Sequence, residues 1–234
     1  MPVEAVKEVR YTLTFDKSRR KEENVLVVPD QECLAAYRYM FANCLIAQDS
    51  ITQGFLENNL EHSLQSITTP PDKEYMLHCF EKINLSGFSG TKRIVDKKLV
   101  HKTSEKNVMI SEIELPLKTK IGLFSGDVAS TTEIKLDHIN QEHIEAILLS
   151  ELSKQASMVS IFRFLGLDSE FYVIEEYKKY RRIVQRSDDI FIHALPVKEN
   201  GNHKGMGYCL FTVYQNSKLC SSGYISGMYT NKGM

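Results

Sequence analysis

The chain has almost no surplus charge. Its 29 lysines and arginines stand against 30 aspartates and glutamates, a net charge of −1. That excludes a nucleic-acid binder working by phosphate neutralisation, which needs a clear cationic excess. Long apolar runs are missing too: no stretch approaches the ~18 consecutive apolar residues of a membrane-crossing helix. Near the N-terminus, Glu4, Lys7, Glu8 and Arg10 stand where a secretion signal would need an apolar segment. A cytoplasmic protein with no membrane partner is expected. The five cysteines, Cys33, Cys44, Cys79, Cys209 and Cys220, are odd in number and contain no Cys-x-x-Cys pair. Neither a disulfide framework nor a zinc site is suggested, and the thiols are expected to be reduced.

Several chemistries are absent by motif. His138 and His143 are five residues apart, about 140° round a helix, so they share no face and make no metal pair. No metal and no bound cofactor are expected. There is no Gly-x-Ser-x-Gly, because Gly223-Tyr224-Ile225-Ser226-Gly227 has its serine one position late. No glycine-rich loop follows a strand and opens a helix, which argues against nucleotide-dependent chemistry. Internal repeats and low-complexity segments are missing as well.

What is present is the composition of an ordinary globular protein, 42% apolar and 25% charged over 234 residues, enough for one large or two small domains. Val9, Tyr11, Leu13 and Phe15 alternate as one strand face, and Val25–Val28 is a second apolar, mostly β-branched run. The charged segment 16–23 between them reads as a hairpin loop. Residues 31–47 and 51–64 show helical spacing, and Pro70-Pro71-Asp72 starts a short helix over 73–82. The Gly/Ser-rich stretch 85–92 marks a boundary between an N-terminal segment, 1–90, built of a hairpin and helices, and a domain over 93–234. In that domain two strands, 107–115 and 120–130, precede a long helix over 139–165. Four strands then follow at 171–184, 189–197, 205–215 and 219–229, with Asn216-Ser217 supplying turn chemistry. Two strands, one long helix and a four-strand meander make an α+β pattern with the sheet wrapped round its helix.

The helix carries the functional signal. Ile144, Ile147, Leu148, Leu152, Val159 and Phe162 form an apolar stripe, and Glu151 and Gln155 fall inside it. A carboxylate on an apolar face carries a desolvation cost. Either it pairs with a lysine or arginine, or it lines a cleft with its pKa raised, ready for acid/base work.

At this point the residues resemble a known family. Leu99-Val100-His101-Lys102 followed by a strand, then His138, then Glu151 with Gln155 four residues on, resembles the AfsA-type (A-factor biosynthesis) hotdog family. In that family a Val-His-Lys motif, a Pro-Arg-x-His motif and a Glu with a Gln four on occur in this order. Lys135-Leu136-Asp137-His138 keeps the histidine and lacks the Pro and Arg. The resemblance covers roughly residues 97–229 and implies a hotdog fold. It also implies a handler of acyl thioesters, with the acyl group on the phosphopantetheine of CoA or an acyl carrier protein. Glu151 and His138 would be catalytic; Gln155, His101, Lys102, Arg181 and Arg182 would bind substrate. Acyl transfer, dehydration and thioester hydrolysis are the implied reactions, and a non-catalytic acyl-thioester-binding or protein-interaction module is the alternative. Glu151 locked in an ion pair would favour that alternative. The missing Arg weakens the case for a phosphorylated co-substrate, which wants a cation. Hotdog sheets pair edge to edge, so a homodimer is expected.

Overall fold

The structure is a computed structural model. It describes residues 11–14, 25–27, 46–48, 72–86, 90–114, 120–128, 142–165, 169–198 and 205–231, with a few single positions before residue 41. The chain forms two compact units, one of residues 1–79 and 115–120, the other of residues 80–114 and 121–234.

The first unit holds strands β1 (Tyr11–Thr14), β2 (Val25–Val27) and β3 (Ile46–Gln48), in the order β2-β1-β3. Both pairings are parallel, with Thr12 beside Val25 and Tyr11 beside Ile46. The expected hairpin is therefore corrected: alternation specifies a strand and its faces, but not the direction of its neighbour. Ala36, Tyr39 and Met40 are helical and buried as expected, but Ile46–Gln48 is strand. A short apolar run such as Cys44–Ala47 fits either state by periodicity. The helix expected over 51–64 lies outside the described residues. Helix α1 (Lys73–Phe80) starts where expected, because Asp72 caps it: its Oδ1 accepts from the Glu74 and Tyr75 amides at 2.9 and 3.2 Å.

The second unit is a seven-stranded antiparallel sheet with a long helix packed on it. Its strands are β4 (Lys92–Ile94), β5 (Ile110–Ile113), β6 (Gly122–Gly126), β7 (Ser169–Tyr180), β8 (Ile190–Lys198), β9 (Gly205–Gln215) and β10 (Lys218–Asn231). Their order is β4-β5-β6-β8-β9-β10-β7, which leaves β4 and β7 as the edges. Helix α2 (Ala146–Leu165) presents Leu148, Leu149, Leu152, Ala156 and Val159 to Ile190, Ile192 and Ala194 of β8 and Cys209, Phe211 and Val213 of β9. The intervening strand residues, His193, Thr212 and Tyr214, fall on the opposite sheet face.

Three details depart from the sequence pattern. The helix begins at Ala146 rather than 139. The residues just before it pair instead with the segment after β7, Ile144 N–H donating to Val184 O at 2.8 Å and Arg186 N–H to Glu142 O at 3.0 Å. Ile147, assigned to the apolar stripe, is 54% exposed. Strand β4 was invisible because Lys92, Arg93 and Ile94 are all exposed and show no alternation.

The β9–β10 turn follows its residues. Asn216 and Ser217 take φ of 50° and 58°, the left-handed pair of a tight hairpin. Strand β10 can approach β7 because it carries glycines. A Cβ on Gly223 would lie 2.0 Å from the Tyr177 carbonyl oxygen, and one on Gly227 would lie 2.1 Å from that of Tyr172. Ser226 faces Glu175 and Gly227 faces Val173, so Ile174 bulges out of the ladder.

The far face of the sheet holds a polar group under strain of burial. His193 is fully buried; its Nδ1 lies 3.2 Å from Thr212 Oγ1, and its Nε2 has no partner among the described residues. Burial pushes its pKa from 6.5 down to about 3. The folded protein therefore keeps His193 neutral while the unfolded chain protonates it below pH 6.5. Stability is full above that pH and should fall by up to about 1.4 kcal/mol per unit as pH drops towards 3. Denaturant titrations between pH 7 and 4 (roughly the span of that window) should show a steeper loss for the wild type than for His193→Gln. Equal slopes would mean that His193 is already protonated, or hydrated, in the native state.

Candidate functional site

The site is built where α2 meets the loop leading into β5. Asp96 opens a single 3-10 turn, Lys97–Val100, by accepting the Lys98 amide at 2.8 Å. His101 closes the turn in the left-handed region, φ 52°, and its ring lies 5.4 Å from that of Phe162 on α2. A non-glycine residue there carries a conformational cost of about 1 kcal/mol. The reversal delivers Lys102 to the helix: its Nζ is 2.7 Å from Glu151 Oε1.

Gln155, one turn further along α2, is 1% exposed and satisfies all its polar atoms inside the chain. Its Oε1 accepts the Met109 amide at 2.8 Å. Its Nε2 donates to Asn107 O at 2.8 Å and to Glu151 Oε1 at 2.9 Å. The amide therefore grips both sides of Val108 and fixes the entry to β5. The role of orienting a substrate carbonyl, implied for Gln155 by the family resemblance, would require it to give up one of these contacts.

Glu151 is partly exposed, 17% by side chain. Burial is the largest influence on its carboxyl and pushes the pKa up. The hydrogen bonds from Lys102 and Gln155 and the charges of Lys102 and Lys154 together outweigh burial, and the net shift is downward. The raised pKa considered from the sequence is thus corrected: Glu151 is held as an ionised carboxylate. Both its contacts fall on Oε1, and Oε2 takes part in neither.

The structure brings His101, Lys102, Glu151 and Gln155 together. His138 lies outside the described residues. Arg181 and Arg182 stand elsewhere, at the end of β7. Both their amides donate to Cys220 O, the Arg181 guanidinium pairs with Glu81 at 2.6 Å, and that of Arg182 donates to Leu219 O at 2.8 Å. The residue next to the carboxylate that the sequence did not single out is Ser150, whose Oγ accepts from Lys178 of β7. A long-range strand-to-helix contact of that kind leaves no local spacing to read. Among the described residues no group of His, Cys, Asp and Glu is placed to hold a metal. Cys79, Cys209 and Cys220 are buried. No helix among the described residues is long and apolar enough to cross a membrane.

No protein-family model and no curated protein matches the sequence. Among solved structures, a thioesterase from Haemophilus influenzae is similar at 12% identity and a TM-score of 0.46, over 59% of this chain and 90% of that one. Zebra fish thioesterase superfamily member 2 is similar at 13% identity and a TM-score of 0.42, over 56% and 91%. A hypothetical thioesterase from Streptococcus pneumoniae, solved with coenzyme A, is similar at 15% identity and a TM-score of 0.37, over 47% and 79%.

The anchoring role of Gln155 is open to direct test. Gln155→Leu keeps the volume but strands the Met109 amide and the Asn107 carbonyl, and should cost about 2–4 kcal/mol. Hydrogen exchange should then accelerate at Met109 and through the 97–108 loop, while the β9–β10 ladder stays protected. Unchanged exchange at Met109 would show that the loop holds itself.

Proposed function

We propose that this chain is an AfsA-like hotdog protein that binds an acyl group carried on the phosphopantetheine of CoA or an acyl carrier protein, and hydrolyses its thioester. The observation that carries the reading is Glu151: an ionised, part-exposed carboxylate on the long helix, with Oε1 engaged by Lys102 and Gln155 and Oε2 outside both contacts. A carboxylate kept ionised has no proton to donate. That disfavours dehydration, which needs a general acid, and suits the orientation and deprotonation of a water attacking a thioester carbonyl. Transfer to a phosphorylated acceptor is disfavoured by the missing Arg beside His138. In this reading His138 is the partner of Glu151, and His101 and Lys102 border the acyl entrance. Arg181 and Arg182 meet the carrier's phosphates by exchanging the contacts with Glu81 and Leu219.

A second reading has its own observation. Lys102 at 2.7 Å from Glu151 is the ion pair that a non-catalytic acyl-thioester-binding module, or a protein-interaction module, would carry in the same frame. A panel of acyl-CoAs separates the two, with thiol release and binding measured in parallel. The first reading expects turnover that falls roughly 10²–10⁴-fold in Glu151→Gln while binding persists. Binding without turnover in the wild type selects the second. No binding of any acyl-CoA or acyl carrier protein overturns both.

Homodimerisation through β7 belongs to the same proposal. This edge strand exposes Tyr172, Ile174, Tyr177 and Tyr180 by 52, 61, 44 and 46%. Antiparallel pairing of two copies about Tyr177 sets Glu175 and Glu176 opposite Lys179 and Lys178, so the charges complement each other. Light scattering should give twice the 26.8 kDa chain mass. Ile174→Lys, a charge on the bulge, should give a folded monomer. A monomeric wild type at micromolar concentration overturns the dimer.

A further inference from the structure

The chain accepts backbone strain at the point where it turns Lys102 towards Glu151. The reversal between Asp96 and Lys102 hinges on His101, whose φ of 52° and ψ of 41° lie in the left-handed region. Such a conformation at a non-glycine residue persists only where the surrounding structure imposes it. Here His101 N–H donates to Lys98 O at 3.2 Å and Lys102 N–H to Lys97 O at 2.9 Å. Val100 is buried in the core cluster with Leu148 and Leu152, and the His101 ring lies against Phe162. Backbone bonds and core packing thus fix the Lys102 backbone before its side chain is placed. The side chain then brings Nζ to 2.7 Å from Glu151 Oε1.

The same oxygen accepts from Gln155 Nε2 at 2.9 Å. Two donors converging on Oε1 fix the plane of the carboxylate, and Oε2 takes part in neither contact. The two donors differ in kind. Gln155 is neutral and is already tied to Asn107 and Met109. Lys102 adds a charge to its hydrogen bond. Lys154, three residues further along α2, also favours the ionised carboxylate, but it is exposed and acts through screening solvent. Glu105 and Lys106, in the loop after Lys102, are exposed and opposite in sign. Burial is the largest influence on Glu151 and opposes its ionisation. Of the four influences that oppose burial, two come from Lys102.

We infer that Lys102 is a positioning residue: it occupies Oε1 of Glu151, leaves Oε2 to face the reacting water, and commits the carboxylate to act as a base rather than an acid. It does so without contacting the acyl thioester. The inference deepens the thioester reading and rests on it. In that reaction Oε2 takes a proton from the water that attacks the thioester carbon, and the departing thiolate takes it up as the C–S bond breaks. The lysine is neither donor nor acceptor in those steps; its charge decides that Glu151 starts them without a proton.

Two variants of the full-length protein test this. Lys102→Met keeps the stem and removes the charge, and Lys102→Arg restores the charge. The first readout is free of activity: the titration of the Glu151 side-chain carbon by NMR in protein labelled at glutamate, the signal being identified by its loss in Glu151→Gln. Glu151 should titrate at higher pH in Lys102→Met than in the wild type, and Lys102→Arg should bring it most of the way back. The second readout is acyl-CoA hydrolysis. In Lys102→Met, kcat should fall about tenfold or more between pH 8 and pH 5, against about threefold or less in the wild type, and KM at pH 8 should stay within about threefold. An unmoved Glu151 titration overturns the inference. So does a raised KM with an unmoved kcat–pH profile, which would make Lys102 a substrate-binding residue. A shifted titration in a chain that hydrolyses no acyl-CoA and no acyl carrier protein overturns the thioester reading instead, and upholds Lys102 as the residue that sets the charge of Glu151.

Discussion

One side-chain amide holds the helix to the start of the sheet. Gln155 is buried in α2, and its two polar atoms meet the backbone on either side of Val108 and the carboxylate of Glu151. A buried amide of this kind is demanding, because each unsatisfied atom costs more than a made bond returns. Satisfying Gln155 therefore fixes three things together: the register at which the loop enters β5, the rotamer of Glu151, and the distance from which Lys102 can reach it. Apolar alternation fixes which strand residues face α2. The placement of Glu151 beside Lys102 follows from this one amide.

Electrostatics then divides the second unit into regions with different characters. Around Glu151, cations and donors outweigh desolvation and hold a negative charge in place. On the far face of the sheet desolvation wins without opposition, and His193 stays neutral. Burial pushes the thiol of Cys209 in the same neutral direction, up to about 12, which leaves it inert as a nucleophile. His193 and the Cys209 thiol are thus neutral where they are buried, and neither supplies a charged base or nucleophile to compete with Glu151.

Much of this was legible in the sequence, and the failures have physical causes. Strands β7 to β10 and the body of α2 announce themselves through long alternating or helical runs whose burial matches their period. Glu151 and Gln155 stood out because they interrupt an apolar stripe, and the structure joins them. The sign of the Glu151 shift did not follow, because it depends on Lys102, which the chain reverses towards the helix only through the left-handed His101. Ile147 was misplaced because a stripe read by periodicity does not say where the sheet stops covering it. The parallel pairing of β1 with β2 and β3 is a choice among neighbours that a strand's own residues do not encode. Strand β4 has three exposed residues and joins the sheet through backbone bonds and the Arg93–Glu114 ion pair, neither of which leaves a hydrophobic period to read.

The division of the chain has a bearing on how the protein can be taken apart. Residues 115–120, the link between β5 and β6, belong to the first unit, although the strands on either side belong to the second. The backbone therefore crosses from one unit to the other three times, at 79–80, 114–115 and 120–121. Two modules joined by a single tether can be exchanged by cutting one peptide bond, and recombination between genes commonly exploits that. Here no single cut separates the two sets of residues, and a fragment starting at residue 80 still carries residues 115–120, which group with the first unit. Excising the first unit whole therefore takes three cuts in the chain, at 79–80, 114–115 and 120–121.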